Sequence, residues 1–132
     1  MNFEQSPSQE KLPIQAEAVV ESFRVNGKEN PASIELLRDW VGQEQTILDG
    51  MDDGPERSRA VTVFMIQWAT VYFEAGFLDD ALEVFNSEYE QDPRDSAVAN
   101  GLHDLVEQID ILVEKIEHQK EREKNGNFLR GV

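Results

Sequence analysis

The sequence TVFMIQWATVYFEAGFLDDALEVFNSEYEQDPRD, residues 62–95, predicts two helices joined by a tight turn. The first helix is apolar around most of its circumference, and its polar positions form a narrow stripe at Gln67, Thr70 and Glu74. A helix of this composition lies in the protein interior and needs neighbours on several sides. We therefore expect the remaining segments of the chain to supply those neighbours.

The order of small, aromatic and turn-forming residues in this segment resembles a tetratricopeptide repeat. The matching positions are Ala69, Tyr72, Gly76, Ala81, Phe85 and Pro93. The segment also has the repeat's length of about 34 residues, although Glu88 stands where the family usually has alanine. The resemblance implies an all-α fold in which antiparallel helical hairpins stack as a right-handed, tetratricopeptide-like repeat.

Elementary stereochemistry gives each matching residue a role. Gly76 can adopt the left-handed conformation that ends a helix at little cost. Ala69 and Ala81 allow two helices to approach closely, and the rings of Tyr72 and Phe85 fill the space on either side. Residues 62–95 are therefore expected to fold as a helical hairpin.

A weaker copy of this pattern precedes the central segment. Val20, Phe23, Gly27, Ala32, Leu36 and Trp40 have the same relative spacing as Ala69, Tyr72, Gly76, Ala81, Phe85 and Tyr89. This spacing predicts a degenerate first repeat at about residues 13–46. The alternative is that any two packed helices joined by a glycine turn would produce the same pattern.

The breakers and caps along the chain predict a single helical domain at residues 12–125. A disordered N-terminal tail is expected at residues 1–11, and a C-terminal tail at 126–132. The helices are expected at about residues 13–25, 31–48, 55–75, 78–91 and 96–124.

The last and longest of these helices carries a heptad pattern. Its seam consists of Val98, Leu102, Leu105, Ile109, Leu112 and Ile116. Steps of four and three residues are typical of left-handed helix packing. We expect this helix to cap the repeats. The alternative is that it pairs with a second copy and forms a structural homodimer.

Composition excludes several classes of function. The chain has 27 acidic and 12 basic residues and a formal net charge of −15, so nucleic-acid backbones and anionic membrane surfaces would repel it. It contains no cysteine, which excludes disulfides and thiol catalysis and makes a cytoplasmic location the default expectation. The most apolar stretch, residues 60–73, is shorter than the roughly 20 residues of a membrane span.

A search for catalytic and metal-binding patterns predicts no enzyme activity, no cofactor and no metal site. His103 and His118 lack the neighbouring residues of a metal or catalytic motif. The acidic loop at residues 49–58 resembles a calcium loop only superficially, because Met51 and Ala60 would occupy two ligand positions.

The remaining functional signal is charge. Residues 74–95 contain eight acidic residues and one basic residue, which favours a cationic partner. The resemblance implies a peptide-binding groove lined by Gln67, Thr70 and Glu74, and the charge adds Asp79 and Asp80. We therefore expect an adaptor that binds a protein or peptide with a basic segment. The alternatives are the homodimer, an acidic mimic of nucleic acid, and a surface whose charge only keeps the protein in solution.

Overall fold

A computed structural model describes the backbone of residues 12–86 and 93–130 and the side chains of residues 12–85 and 94–124. Within these ranges the chain forms α-helices and no strand, which confirms the predicted all-α class. The helices are α1 (Ile14–Asn26), α2 (Pro31–Asp49), α3 (Pro55–Ala75), α4 (Leu78–Asn86), α5 (Pro93–Ala99) and α6 (His103–Arg130).

Helix α3 occupies the centre of the fold. It contacts each of the other five helices of the described chain. Phe64, Met65, Ala69 and Val71 of α3 are buried, and the core continues into Trp40 of α2. The expected interior position of this helix is confirmed, since its apolar circumference is covered from several directions.

The turn between α3 and α4 consists of Gly76 and Phe77. Gly76 has φ 92° and ψ 7°, and its N–H donates to the carbonyl of Phe73 at 3.1 Å. The N–H of Phe77 donates to the carbonyl of Tyr72 at 2.9 Å. These two bonds satisfy the last carbonyls of α3 and confirm the helix-ending role predicted for Gly76.

Contacts between helix ends fix the directions of the helices. Arg24, in the last turn of α1, binds Glu74, in the last turn of α3, so these two helices run in the same direction. The α1–α2 and α3–α4 hairpins therefore lie side by side with the same orientation. Helix α6 also runs along α3, because Asp104 near its start binds Arg59 near the start of α3.

The first hairpin departs from the second in its residue pattern. Ala81 is fully buried, whereas Ala32, its predicted counterpart, is exposed. Leu36 is also exposed, although its predicted counterpart Phe85 is buried. The proposed alignment of α2 with α4 is therefore wrong at two positions.

The cause is the length of the turn. Four residues, 27–30, join α1 to α2, whereas two join α3 to α4. The small residue that faces α1 is consequently Ser33, one position after Ala32. Ser33 is fully buried, and its Oγ is 2.7 Å from the Oγ of Ser22 on α1.

The C-terminal region contains two helices where one long helix was expected. Helix α5 begins at Pro93 and ends at Ala99, and Gly101 has φ 72°. The N–H of Gly101 donates to the carbonyl of Val98 at 3.1 Å, and the N–H of Leu102 donates to Ala97 at 2.9 Å. This left-handed glycine ends α5 in the same way that Gly76 ends α3, and α6 then begins in a new direction.

Other helix boundaries also differ from the expected ones. The described part of α4 ends at Asn86, so the rest of the predicted 78–91 helix lies outside the described residues. Helix α6 continues to Arg130, past the predicted end at residue 124 and through most of the predicted C-terminal tail at 126–132, which is therefore wrong. Glycine inside a helix costs only about 1 kcal/mol relative to alanine, which a long helix tolerates. The predicted N-terminal tail, residues 1–11, also lies outside the described residues.

The seam of α6 gives a direct test of this packing. Ile109 is buried, whereas Ile111 on the same helix is 39% exposed. We expect Ile109→Ala to lower the free energy of unfolding by about 2–5 kcal/mol, because it leaves a cavity in the core. Ile111→Ala should change it by less than about 1 kcal/mol. Urea unfolding of the two variants measures the difference, and equal effects would contradict the placement of α6.

Candidate interaction surface

The polar stripe predicted on α3 is only partly available to a partner. Thr70 donates its hydroxyl to the carbonyl of Ile66 at 2.7 Å, within the same helix. Gln67 is half-buried, and Glu74 is exposed. The carbonyl of Glu74 accepts hydrogen bonds from Nε and Nη2 of Arg24 at 3.1 and 2.7 Å. This contact places a positive charge at the C-terminal end of α3, where the helix dipole favours it.

Asp79 and Asp80, the predicted anchors for a basic partner, are both paired within the chain. Lys120 of α6 lies 2.6 Å from Oδ1 of Asp79, and this contact lowers the pKa of Asp79. Lys28, in the turn between α1 and α2, pairs with Asp80, which raises the pKa of Lys28. The two carboxylates therefore link α4 to its neighbours.

An aromatic cluster lies beside these ion pairs. The ring of Phe23 stacks on Tyr72 with centroids 5.7 Å apart, and it meets Phe77 edge-on at 5.5 Å. The ammonium of Lys28 lies 5.3 Å from the centroid of Phe77. Burial raises the pKa of Tyr72. Stacked rings and a cation over an aromatic face both stabilise this end of the two hairpins.

Two further ion pairs fix the C-terminal helices. Arg59 of α3 binds both carboxylate oxygens of Asp104 at 2.6 and 3.2 Å. Arg94 of α5 forms a bidentate ion pair of the same kind with Asp110 of α6, with distances of 2.7 and 3.0 Å. Each arginine lowers the pKa of its carboxylate partner. Paired hydrogen bonds of this kind favour one relative orientation of the helices.

Half of the 12 basic residues contact another helix or turn. Arg57 adds another such contact, because its Nε donates to the carbonyl of Leu48 at the end of α2 at 3.0 Å. The side chains that bind another helix or turn are Arg24, Lys28, Arg57, Arg59, Arg94 and Lys120. Half of the 12 basic residues therefore take part in contacts between elements, and the 27 acidic residues leave a large net negative charge on the chain.

The outer face of α1 is a feature that the sequence analysis did not recognise. Ile14 and Val25 are 84% and 72% exposed. At 100° per residue, both lie opposite Val19 and Phe23, which are buried. A helical projection of residues 13–25 would have separated the two faces.

The described residues contain no group of three or more His, Cys, Asp or Glu side chains arranged to hold a metal ion. In the same part of the chain, none of the helices combines the length and the apolar character needed to cross a membrane. No protein-family model, curated protein or solved structure matches the chain. The functional argument therefore depends on the residues themselves.

The ion pairs predict a specific response to acid. The pKa values of Asp79, Asp104 and Asp110 are lower in the folded chain than in the unfolded chain. Their contribution to stability is therefore complete at neutral pH and is lost as the pH falls below about 4. We expect the stability difference between the wild type and the triple variant Asp79→Asn, Asp104→Asn, Asp110→Asn to shrink as the pH falls. Urea midpoints of both proteins, measured between pH 7 and about pH 2, test this. A difference in midpoint that stays constant over this pH range would contradict it.

Proposed function

We propose that this protein is a non-catalytic adaptor that binds a protein or peptide segment, with a preference for basic segments, and that it acts in the cytoplasm. The observation that carries the proposal is the distribution of charge. Six of the 12 basic residues contact another helix or turn, and the 27 acidic residues outnumber the basic ones, so the chain carries a large excess of carboxylates over the cations that could pair with them. Such a surface attracts cationic segments and speeds their association.

We also infer that the two hairpins form a short, tetratricopeptide-like stack. Their common orientation and the stacking of Phe23 on Tyr72, which occupy matching positions in the two hairpins, support this inference. Helices α5 and α6 then act as a cap, because they cover the side of α3 and α4 that a further repeat would cover. A stack of repeats offers an extended surface that suits a bound segment.

The burial of the α6 seam within the chain argues against the homodimer alternative. Leu105, Ile109, Leu112 and Ile116 are buried by the chain's own helices. Pairing of two chains along this seam would require α6 to leave its contacts with α3, α4 and α5. A dimer of this kind would lose about as much apolar contact as it gains.

A charge reversal at Asp79 and Asp80 would not separate an effect on partner binding from an effect on folding. Lysines at these positions would face Lys120 and Lys28 and would repel them, so a loss of folding could be mistaken for a loss of binding. Variants for binding studies should change carboxylates that hold no other helix in place.

The adaptor function can be tested by affinity capture from the protein's own cell extract. The tagged full chain should retain at least one basic protein at low salt and release it as salt rises, because screening weakens the attraction. The partner should then be purified and its binding to the full chain measured by calorimetry at both salt concentrations. We expect the affinity to fall by about tenfold or more at the higher salt.

An unrelated acidic protein of similar net charge, on the same resin, controls for ion exchange. A partner retained equally by both baits, or an affinity that does not depend on salt, would contradict the proposal. Competition by duplex DNA for the retained partner would instead favour the acidic mimic, because a mimic occupies the DNA-binding surface of its target.

A further inference from the structure

Helix α2 is attached to the rest of the fold along one narrow side. It has 19 residues, and its buried side chains are Ser33, Trp40 and Leu48. Leu37 and Val41 are half-buried, and most of the other side chains of α2 are exposed. Helix α1, its partner in the hairpin, has 13 residues but buries five side chains. Helix α2 therefore has less buried contact for its length than α1.

The contacts that α2 makes with α1 and α3 are partly polar. Ser33 shares a hydrogen bond with Ser22 of α1, with 2.7 Å between the two hydroxyl oxygens. Trp40 packs edge-on against Phe64 of α3 with ring centroids 5.4 Å apart, and its buried Nε1 has no hydrogen-bond partner among the described residues. A buried N–H without a partner costs free energy that contact with water would return. Opening of α2 would therefore expose the ring of Trp40 but would also hydrate its N–H.

Ion pairs hold α2 less firmly than α6. At the C-terminal end of α2, Nε of Arg57 donates to the carbonyl of Leu48 at 3.0 Å, and Nη2 of Arg57 lies 3.9 Å from Oδ1 of Asp49. No other charged side chain of α2 forms an ion pair with a described residue. Helix α6, by contrast, is joined to α3 by the bidentate pair of Arg59 with Asp104. Such a pair restricts the position of a helix more strongly than one long contact at its end.

We propose that α2 opens as a unit from α1 and α3 while the other helices stay folded. Segments with little buried contact open locally at a lower free energy than that of unfolding the whole domain. The connections at the two ends of α2, residues 27–30 and 50–54, contain Gly27, Gly50 and Gly54 and can rotate to absorb the motion. This inference does not depend on the adaptor function.

The opening would uncover an aromatic surface that the closed form hides. Phe64 is 4% exposed and contacts both Trp40 and Trp68, with ring centroids 5.4 and 5.5 Å away. When α2 leaves, Trp40 leaves with it, and one side of the Phe64 ring faces solvent. The open form would thereby add an apolar, aromatic surface to a strongly acidic chain. Helix α2 is thus a hinged cover over Phe64.

Hydrogen exchange of the full wild-type chain tests the opening directly. Exchange should be followed by mass spectrometry at several urea concentrations below the unfolding midpoint. We expect the central amides of α2, residues 38–46, to exchange at least about tenfold faster than residues 60–70 of α3 after correction for intrinsic rates. Residues 19–24 of α1 should follow α3. Equal opening free energies in α2 and α3 would overturn the proposal, and so would equally fast exchange in α1 and α2, because the hairpin would then open as one.

The chain has no cysteine, so a single introduced thiol reports the same motion. Ser33→Cys places a thiol at the fully buried contact between α2 and α1, and the matched control Ala69→Cys places one at a fully buried position of α3. The two variants are compared at urea concentrations that give them the same free energy of unfolding. Iodoacetamide should label Ser33→Cys at least about tenfold faster than Ala69→Cys. Equal labelling rates would contradict the opening of α2.

A disulfide between α1 and α2 identifies the contact that breaks. The Oγ atoms of Ser22 and Ser33 are 2.7 Å apart, so Ser22→Cys with Ser33→Cys brings two sulfurs within bonding reach. In the oxidised form the α2 amides should exchange as slowly as those of α1, and reduction should restore the fast exchange. The same fast exchange in both forms would overturn the proposal, because α2 would then not leave α1.

The wild-type exchange measurement needs no substitution, so it decides the question if a cysteine variant fails to fold. None of these measurements involves a partner. The adaptor function and the opening of α2 can therefore fail independently of each other.

Discussion

The burial of α3 is the constraint on which the rest of this structure depends. A helix that is apolar on most sides is unstable in water unless other segments cover it, and the five other helices of residues 12–86 and 93–130 all contact it. This requirement explains why two hairpins, a short helix and a long helix assemble around one segment. It also explains why the heptad seam of α6 faces inward, since Ile109 and Ile116 cover α3 and α4 and are removed from water.

Ion pairs between helices supplement the apolar packing. Apolar contacts specify the relative orientation of helices only weakly. A bidentate ion pair such as that of Arg59 with Asp104 specifies it more strongly. Exposed ion pairs contribute little stability individually, so their main effect here is on geometry and on the distribution of charge. Six of the 12 basic residues contact another helix or turn, the chain as a whole keeps a negative excess, and the proposed adaptor function depends on this excess.

The sequence predicted the helical class, the central hairpin and the glycine that ends α3, because these depend on local stereochemistry and on the period of apolar residues. It did not predict the break at Gly101, although the dipeptide Asn100-Gly101 is a common turn signal, because the heptad pattern runs across it. The pairing of Asp79 with Lys120 joins residues far apart in sequence, and no local pattern encodes such a contact. For the same reason, composition identified an acidic segment but could not distinguish the carboxylates that hold helices from those that are free.

The measurement that most directly tests the binding of a basic segment is zero-length coupling of carboxylates to amines in the intact complex, followed by mass spectrometry. Our account predicts two classes of product. Asp79 should couple to Lys120, and Asp80 to Lys28, within the chain, whereas exposed carboxylates that form no ion pair within the described residues should couple to lysines of the partner. Couplings found only within the chain, or partner lysines joined to Asp79 and Asp80, would contradict it.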